Sequence, residues 1–129
     1  MIEGGCFCGA IRYVIEDSPD NAGNSYIVAN CDCTMCRRTS AAPFVTWIVV
    51  PDARFRYTSG EPKVLRSSES GTRYFCEACG TPLVCINSDH PDKVDVTTGS
   101  LDDPGSFPPK YAVFEDTKLG WLSTTEVSD

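Results

Sequence analysis

The cysteines are the residues of this sequence whose type and spacing indicate chemistry. The chain has eight cysteines but a single histidine, His90. Seven of the cysteines form three clusters: Cys6-x-Cys8, Cys31-x-Cys33-x-x-Cys36 and Cys76-x-x-Cys79. Disulfides usually have wider spacing and occur in secreted chains, whereas clustered cysteines in a reducing compartment are typical metal ligands. The clusters therefore predict bound metal, and thiolate sets of this kind favour zinc.

Two of the clusters are cysteine pairs followed by glycine, as in tight zinc-binding turns. Gly9 follows CFC and Gly80 follows CEAC, and glycine permits the positive φ that turns backbone N–H groups toward the sulfur atoms. Together the pairs supply four thiolates from positions about 70 residues apart, so that one metal ion would close a long loop and stabilise a small fold. We predict a structural zinc ion bound by Cys6, Cys8, Cys76 and Cys79.

The third cluster has three cysteines, one ligand fewer than structural zinc requires. Three protein ligands and one exchangeable position are the arrangement of catalytic zinc. Cys31, Cys33 and Cys36 are therefore predicted to hold a second zinc ion and to be the catalytic residues. Two alternatives remain: Cys85 in PLVCIN closes the site as a fourth ligand, or the cluster is only partly occupied or empty. Cys85 is also expected as a small core residue on the face of Leu83.

The charge of this site favours a thiol as its exchangeable ligand. Zinc bound by three thiolates carries a formal negative charge, so it activates water poorly, whereas it lowers the pKa of an incoming thiol. Arg37 and Arg38 follow Cys36 directly, and they are predicted to offset that charge and to bind a carboxylate of an anionic thiol. The alternative is that both arginines are solvated surface residues. Asp32, inside the cluster, is expected in a solvated turn, and His90 in a loop.

Short strands must position these cysteines. Alternating or β-branched segments recur along the chain, and they predict an all-β fold of about eight to ten strands with little helix. The segments are AIRYVIE, SYIVAN, FVTWIVV, RFRYT, KVLRSS, TRYF, PLVCIN, KVDVTTG, YAVFE and GWLST. Only CTMCRRTSAA, residues 33–42, is expected to form a short helix. Because the chain has 129 residues and no evident linker, residues 1–129 are predicted to form one zinc-binding domain.

Composition argues against several kinds of partner. The net charge of -7 argues against a nucleic-acid surface, which needs clustered Lys and Arg. No apolar run approaches the roughly 20 residues that span a bilayer, and the start of the chain lacks the pattern of a secretory signal. The sequence thus predicts a cytoplasmic protein that binds neither nucleic acid nor membrane. It is compatible with a homodimer without supporting one.

The order of these motifs resembles the glutathione-dependent formaldehyde-activating family, which includes the centromere protein V type domains. The matching segments are GGCFCGAIRY, CDCTMCRR, SGEP, RYFCEACGTPL, TGSLDDP and KLGW. The resemblance implies a β-tent of two facing antiparallel sheets braced by zinc, similar to methionine-sulfoxide reductase B. It also implies two zinc ions, one on the positions of Cys6, Cys8, Cys76 and Cys79 and one on those of Cys31, Cys33 and Cys36.

The resemblance implies a function as well, a carbon–sulfur lyase activity that joins glutathione to formaldehyde and forms S-hydroxymethylglutathione. The residues themselves favour a zinc-dependent enzyme in which a bound small thiol adds to a small carbonyl carbon. One alternative is a non-catalytic, zinc-braced module that carries a thiol or binds a protein partner. Another is a thiol switch that releases zinc on oxidation. The sequence does not specify the carbonyl substrate.

Overall fold

The computed structural model describes residues 1–16 and 26–122, and strands are its main element. The ten strands in this part of the chain are β1 (Ile2–Gly5), β2 (Arg12–Ile15), β3 (Ile27–Cys31), β4 (Val45–Pro51), β5 (Phe55–Ser59), β6 (Lys63–Arg66), β7 (Gly71–Phe75), β8 (Pro82–Asn87), β9 (Lys93–Thr97) and β10 (Tyr111–Val113). One α-helix, α1 (Thr34–Ser40), lies between β3 and β4. The prediction of an all-β fold with little helix is confirmed.

The strands form two sheets. Three strands make a small sheet in the order β1-β2-β5, and the other seven make a larger sheet in the order β10-β3-β4-β9-β8-β7-β6. Neighbouring strands are antiparallel, with the exception of β10, which runs parallel to β3. This parallel edge differs from the expected antiparallel sheets. A long connection leads from β9 to β10, so no tight hairpin forces β10 to run antiparallel to its neighbour.

The hydrophobic core lies between the two sheets. Successive residues of a strand point to opposite faces, and one face of the larger sheet contributes Ile48, Val84 and Val96, which are neighbours in register. The smaller sheet contributes Tyr13 and Ile15, both fully buried. These residues occupy only one face of the larger sheet. The opposite face is therefore available for side chains that do not pack into the core, including polar and charged ones.

Strand β1 is not among the strands predicted from the sequence. Its residues, IEGG, include two glycines, which are unfavourable in strands and obscure the alternating pattern. The structure gives a reason for one of them. A Cβ atom at Gly4 would overlap the hydroxyl of Tyr13 and the carbonyl oxygen of Ser100, and that hydroxyl forms a hydrogen bond with Ser100 Oγ at 2.5 Å. The close approach of β1 to β2 therefore requires glycine here.

Helix α1 confirms the prediction of a short helix within residues 33–42. The Sγ atom of Cys33 accepts a hydrogen bond from the N–H of Cys36 at 3.2 Å, as an N-cap side chain does. At the other end, Ala41 has a left-handed conformation with φ of 60°. Within the described residues, no helix is long and apolar enough to cross a membrane.

The end of the described chain differs in part from the prediction. YAVFE contains β10, as expected, but residues 120–122 of GWLST form a turn instead of a strand. A hydrogen bond from the N–H of Leu122 to the carbonyl oxygen of Leu119, at 3.2 Å, closes this turn. The remaining two residues of GWLST, and the first residue of SYIVAN, lie outside the described residues.

Replacing Ile48 by alanine tests the position of the core. Ile48 is fully buried between the sheets, so Ile48→Ala should lower the free energy of unfolding by about 2–5 kcal/mol. Ile27→Ala removes the same atoms from a side chain that is 49% exposed, and it should change that free energy by about 0.5 kcal/mol or less. Urea unfolding followed by circular dichroism measures both values. Equal losses in the two variants would contradict this placement of the core.

Candidate metal centres and the cavity beside them

Four cysteine sulfur atoms meet between the two sheets. Cys6 and Cys8 follow β1 of the small sheet, and Cys76 and Cys79 follow β7 of the larger one. The four Sγ atoms all lie within 4.8 Å of one another. Those of Cys6 and Cys8 are 3.6 Å apart, and those of Cys8 and Cys76 are 3.7 Å apart. Sulfur atoms placed tetrahedrally around zinc are about 3.8 Å apart, so this cluster fits a tetrahedral metal ion.

Hydrogen-bond donors surround these sulfur atoms. The N–H of Ile11 donates to Cys6 Sγ at 3.2 Å, and the hydroxyl of Thr81 lies 3.2 Å from Cys79 Sγ. The Thr81 hydroxyl is the main cause that lowers the pKa of the Cys79 thiol to about 5, because a donor favours the thiolate. The N–H of Phe7 donates to Thr81 Oγ1 at 3.0 Å and so connects the two cysteine turns. Thr81 was not identified by sequence reasoning.

A glycine closes each of the two turns. Gly9 has φ of 81° and Gly80 has φ of 83°, a region that side chains rarely adopt. The N–H of Gly9 donates to the carbonyl oxygen of Cys6 at 3.1 Å, and that of Gly80 donates to the carbonyl oxygen of Cys76 at 2.7 Å. The glycines therefore have the predicted positive φ, although their own N–H groups bind carbonyl oxygens and not sulfur.

The second cluster lies at the junction of β3 and α1. Cys31 ends β3, Cys33 precedes α1 and Cys36 lies in the first turn of the helix. The three Sγ atoms are within 4.8 Å of one another. Cys31 and Cys36 are buried, whereas Cys33 is partly exposed. Because all three residues also line a cavity, a metal ion bound by them could take a further ligand from that cavity.

A guanidinium group from β7 contacts the three-cysteine cluster. Arg73 Nη2 lies 3.6 Å from Cys36 Sγ, and the rest of the group is held in place by other side chains. Nη1 donates to Thr39 Oγ1 at 3.3 Å, and Nε donates to Ser67 Oγ at 3.1 Å. The Arg73 Cζ atom lies 5.9 Å from the centre of the Trp47 ring, within the range of a cation–π contact. Arg73 is thus a fixed positive charge beside the cluster.

Three side chains stabilise the thiolate of Cys36. Hydrogen bonds from Cys31, then from Arg73 and then from Cys33 lower the pKa of Cys36 to about 5, against the effect of burial. Sequence reasoning did not identify Arg73, because it lies far from this cluster along the chain. Strand pairing is the sequence signal that could have identified Arg73. The alternation in TRYF and PLVCIN is consistent with the pairing of Arg73 with Cys85 that the structure shows.

Arg37 and Arg38, the arginines predicted from the sequence, lie elsewhere. They line a separate surface cavity together with Leu119 and Trp121. Arg37 is half-buried and Arg38 is exposed. Among the described residues, Arg73 is the arginine that lines the cavity beside the three cysteines. A role for Arg37 or Arg38 in substrate binding stays a prediction.

The cavity beside the three-cysteine cluster has a volume of about 500 Å³. This volume lies in the usual range for small-molecule sites. The cavity covers the face of the larger sheet that points away from the core. Four neighbouring strands contribute one row of paired residues to it, namely Val49, Asp95, Cys85 and Arg73. One charged row therefore crosses an otherwise mostly apolar floor.

Exposed apolar side chains border this cavity. They are Ile27, Met35, Val113 and Phe114, from β3, α1, β10 and the residue after β10. Phe114 has a left-handed backbone conformation with φ of 56°, which is uncommon for a residue with a bulky side chain. The N–H of Thr117 donates to the Phe114 carbonyl oxygen at 3.2 Å and helps to hold this turn. An apolar edge thus adjoins the polar row.

Three other residues considered in the sequence have defined places. Cys85 packs against the three-cysteine cluster and lines the cavity, but among the described residues its sulfur is not one of the three that lie within 4.8 Å. The expectation of a solvated Asp32 is wrong, since Asp32 is 4% exposed. Its N–H donates to the carbonyl oxygen of Val113 and its carbonyl accepts from the Thr117 hydroxyl, so the segment 113–117 packs against its backbone. His90 is exposed in a turn, as expected.

Comparison with known proteins agrees with this architecture. A crystal structure of a Rhodobacter sphaeroides protein superposes with a TM-score of 0.66 over 85% of this chain and 98% of that chain, at 20% sequence identity, and so shares the fold. A Halomonas elongata protein named "Putative glutathione-dependent formaldehyde-activating enzyme" is 25% identical over 131 residues, which cover 95% of this chain and 80% of that protein. The family model for the glutathione-dependent formaldehyde-activating enzyme matches residues 1–117. The chain therefore belongs to the glutathione-dependent formaldehyde-activating enzyme family.

Proposed function

We propose that this protein is a zinc-dependent enzyme of the carbon–sulfur lyase type, which joins a small thiol such as glutathione to formaldehyde or a similar small carbonyl compound. The observation that supports this most directly is the three-cysteine cluster, whose residues line a cavity large enough for a small thiol. Membership of the family supports the same reaction class. In this proposal residues 1–129 act as one domain.

The two clusters have different roles in this proposal. Cys6, Cys8, Cys76 and Cys79 hold a structural zinc ion, because four thiolates close its coordination and join the two sheets. Cys31, Cys33 and Cys36 hold a second zinc ion with one position left for substrate. None of the eight cysteines forms a disulfide, as is usual in a reducing compartment, which supports a location in the cytoplasm.

The charges of the cavity suit an anionic thiol. Zinc bound at the three-cysteine cluster would lower the pKa of an incoming thiol and keep it as a nucleophilic thiolate. Arg73 compensates one negative charge of the cluster through its contact with Cys36, and its contacts with Thr39 and Ser67 fix its orientation. The cavity then holds thiol and carbonyl together, which removes much of the entropic cost of their encounter.

Metal content distinguishes the two clusters. Native mass spectrometry of protein purified without chelator should find two zinc ions per chain. Cys33→Ser should leave one ion and a folded protein, because the four-cysteine cluster, which joins the two sheets, is unchanged. Cys76→Ser should lose the ion between the sheets. Its free energy of unfolding should fall by roughly 4 kcal/mol or more, because a tightly bound ion no longer stabilises the folded state.

Cys85→Ser is the matched control for this experiment, and it should keep both ions. Loss of an ion from this variant would identify Cys85 as a fourth ligand of the second site. Two ions in Cys33→Ser would refute the assignment of the three-cysteine cluster as a metal centre.

A charge-neutral variant tests the role of Arg73. Arg73→Gln removes the positive charge beside Cys36, so the affinity of the second site for zinc should fall by about 10–100-fold. Arg38→Gln makes the same chemical change at an exposed position outside the cavity and should leave that affinity unchanged. Competition with a chromogenic chelator measures both affinities. If Arg38→Gln lowers the zinc affinity and Arg73→Gln does not, the result would favour the sequence prediction that Arg37 and Arg38 offset the charge of the cluster.

The reaction itself can be measured by exchange NMR spectroscopy with glutathione and ¹³C-formaldehyde at low concentration, where the uncatalysed addition is slow enough to subtract. The protein should accelerate exchange between free and thiol-bound formaldehyde, and Cys33→Ser should return the rate to the background. Glutathione binding without acceleration would instead identify a thiol carrier. Absence of both would refute the proposed function and favour a structural module.

A further inference from the structure

A carboxylate on the cavity floor has no part in the function described so far. Asp95 lies in the middle of β9, on the face that points into the cavity. It is the one acidic residue among those that line this cavity in the described part of the chain. Its side chain is half-buried, and no hydrogen bond to its carboxylate from any of the described residues contributes to its environment. A carboxylate on a cavity floor with a perturbed pKa is a candidate for a role toward a ligand or a reaction.

Strand register places Asp95 in the same row of the cavity floor as Arg73, which contacts the three-cysteine cluster. It pairs with Val49 of β4 on one side and with Cys85 of β8 on the other. Cys85 in turn pairs with Arg73, whose guanidinium contacts Cys36. Asp95 and the three-cysteine cluster therefore line the same cavity. Arg73 also lines it and contacts Cys36.

Four titratable groups act on Asp95 from the elements around it. They are Cys36 of α1, Arg73 of β7, Cys85 of β8 and His90 in the turn before β9. Burial first, and then the charge of Cys36, raise the pKa of Asp95 to about 6, while His90 and Arg73 act in the opposite direction. A carboxyl group of this kind is ionised at neutral pH but accepts a proton more readily than an exposed aspartate.

The addition of a thiol to a carbonyl group needs a proton carrier. The thiol must lose its proton, and the oxygen that develops negative charge must gain one. Other candidates fit less well, because His90 is exposed in its turn and Asp32 is buried beside the end of the chain. We propose that Asp95 is the catalytic acid and base of the cavity, which accepts the proton of the substrate thiol and delivers it to the carbonyl oxygen. This inference rests on the proposed function.

The proposed step is balanced without any further reactant. The Asp95 carboxylate takes the proton from the thiol, and the sulfur electron pair forms a bond to the carbonyl carbon. The C=O double bond becomes a single bond, and its oxygen takes the proton back from Asp95. The products are a thiohemiacetal and the original carboxylate. The reverse sequence releases the carbonyl compound and the thiol.

The test uses Asp95→Asn, which has nearly the same shape but cannot carry the proton. With glutathione and ¹³C-formaldehyde as probes, the enzymatic exchange rate should fall about 100-fold. Zinc content and glutathione affinity should stay as in the wild type. The rate of the wild type should decline as the pH falls through the raised pKa of Asp95, because Asp95 becomes protonated, and Asp95→Asn should lack this decline. Asp92→Asn makes the same change at an exposed turn residue and should behave as the wild type.

The outcomes separate this inference from the proposed function. If the wild type accelerates exchange and Asp95→Asn does so equally well, the role of Asp95 is refuted and the proposed function stands. If the wild type does not accelerate exchange, both fail. Should Asp95→Asn not fold, Asp95→Glu retains a carboxylate at the same position. Its pH profile should keep the acidic decline, and a flat profile in a folded, active variant would overturn the inference.

Discussion

The convergence of four sulfur atoms between two sheets is the constraint on which this structure depends. Thiolates less than 4.8 Å apart repel one another strongly, so their cluster is stable only when a cation or protons compensate the charge. The two turns that supply them follow strands of different sheets, and a shared hydrogen bond at Thr81 connects these turns. The same few atoms thus connect the two sheets at one end of the apolar core.

The larger sheet has two faces with different tasks. Ile48, Val84 and Val96 pack into the core, whereas the opposite face bears the row of Asp95, Cys85 and Arg73. Because successive residues alternate between the faces, packing on one side fixes the register of the polar row on the other. The chemistry of the cavity is therefore positioned by strands whose stability comes from the core and not from the site itself.

Much of this arrangement could be predicted from the spacing of cysteines and the alternation of apolar residues. The strands from β2 to β10, the short helix after Cys33 and the grouping of the cysteines are local or strongly patterned features. Strand β1 was not predicted, because its two glycines obscure the alternating pattern, and the packing of Gly4 against Tyr13 and Ser100 is visible only in the structure. Arg73 and Asp95 were not predicted either, since their importance depends on pairing between strands that are distant in sequence.

The two clusters also differ in how far apart their members lie along the chain, and this has a consequence for assembly during synthesis. Cys31, Cys33 and Cys36 lie within six consecutive positions and can meet as soon as that segment leaves the ribosome. Cys8 and Cys76 are 68 positions apart, so their turns can meet only after β7 has emerged. The three-cysteine cluster can therefore assemble early in synthesis, whereas the four-cysteine cluster can assemble only after Cys79 has emerged and before β8, β9 and β10 complete the larger sheet.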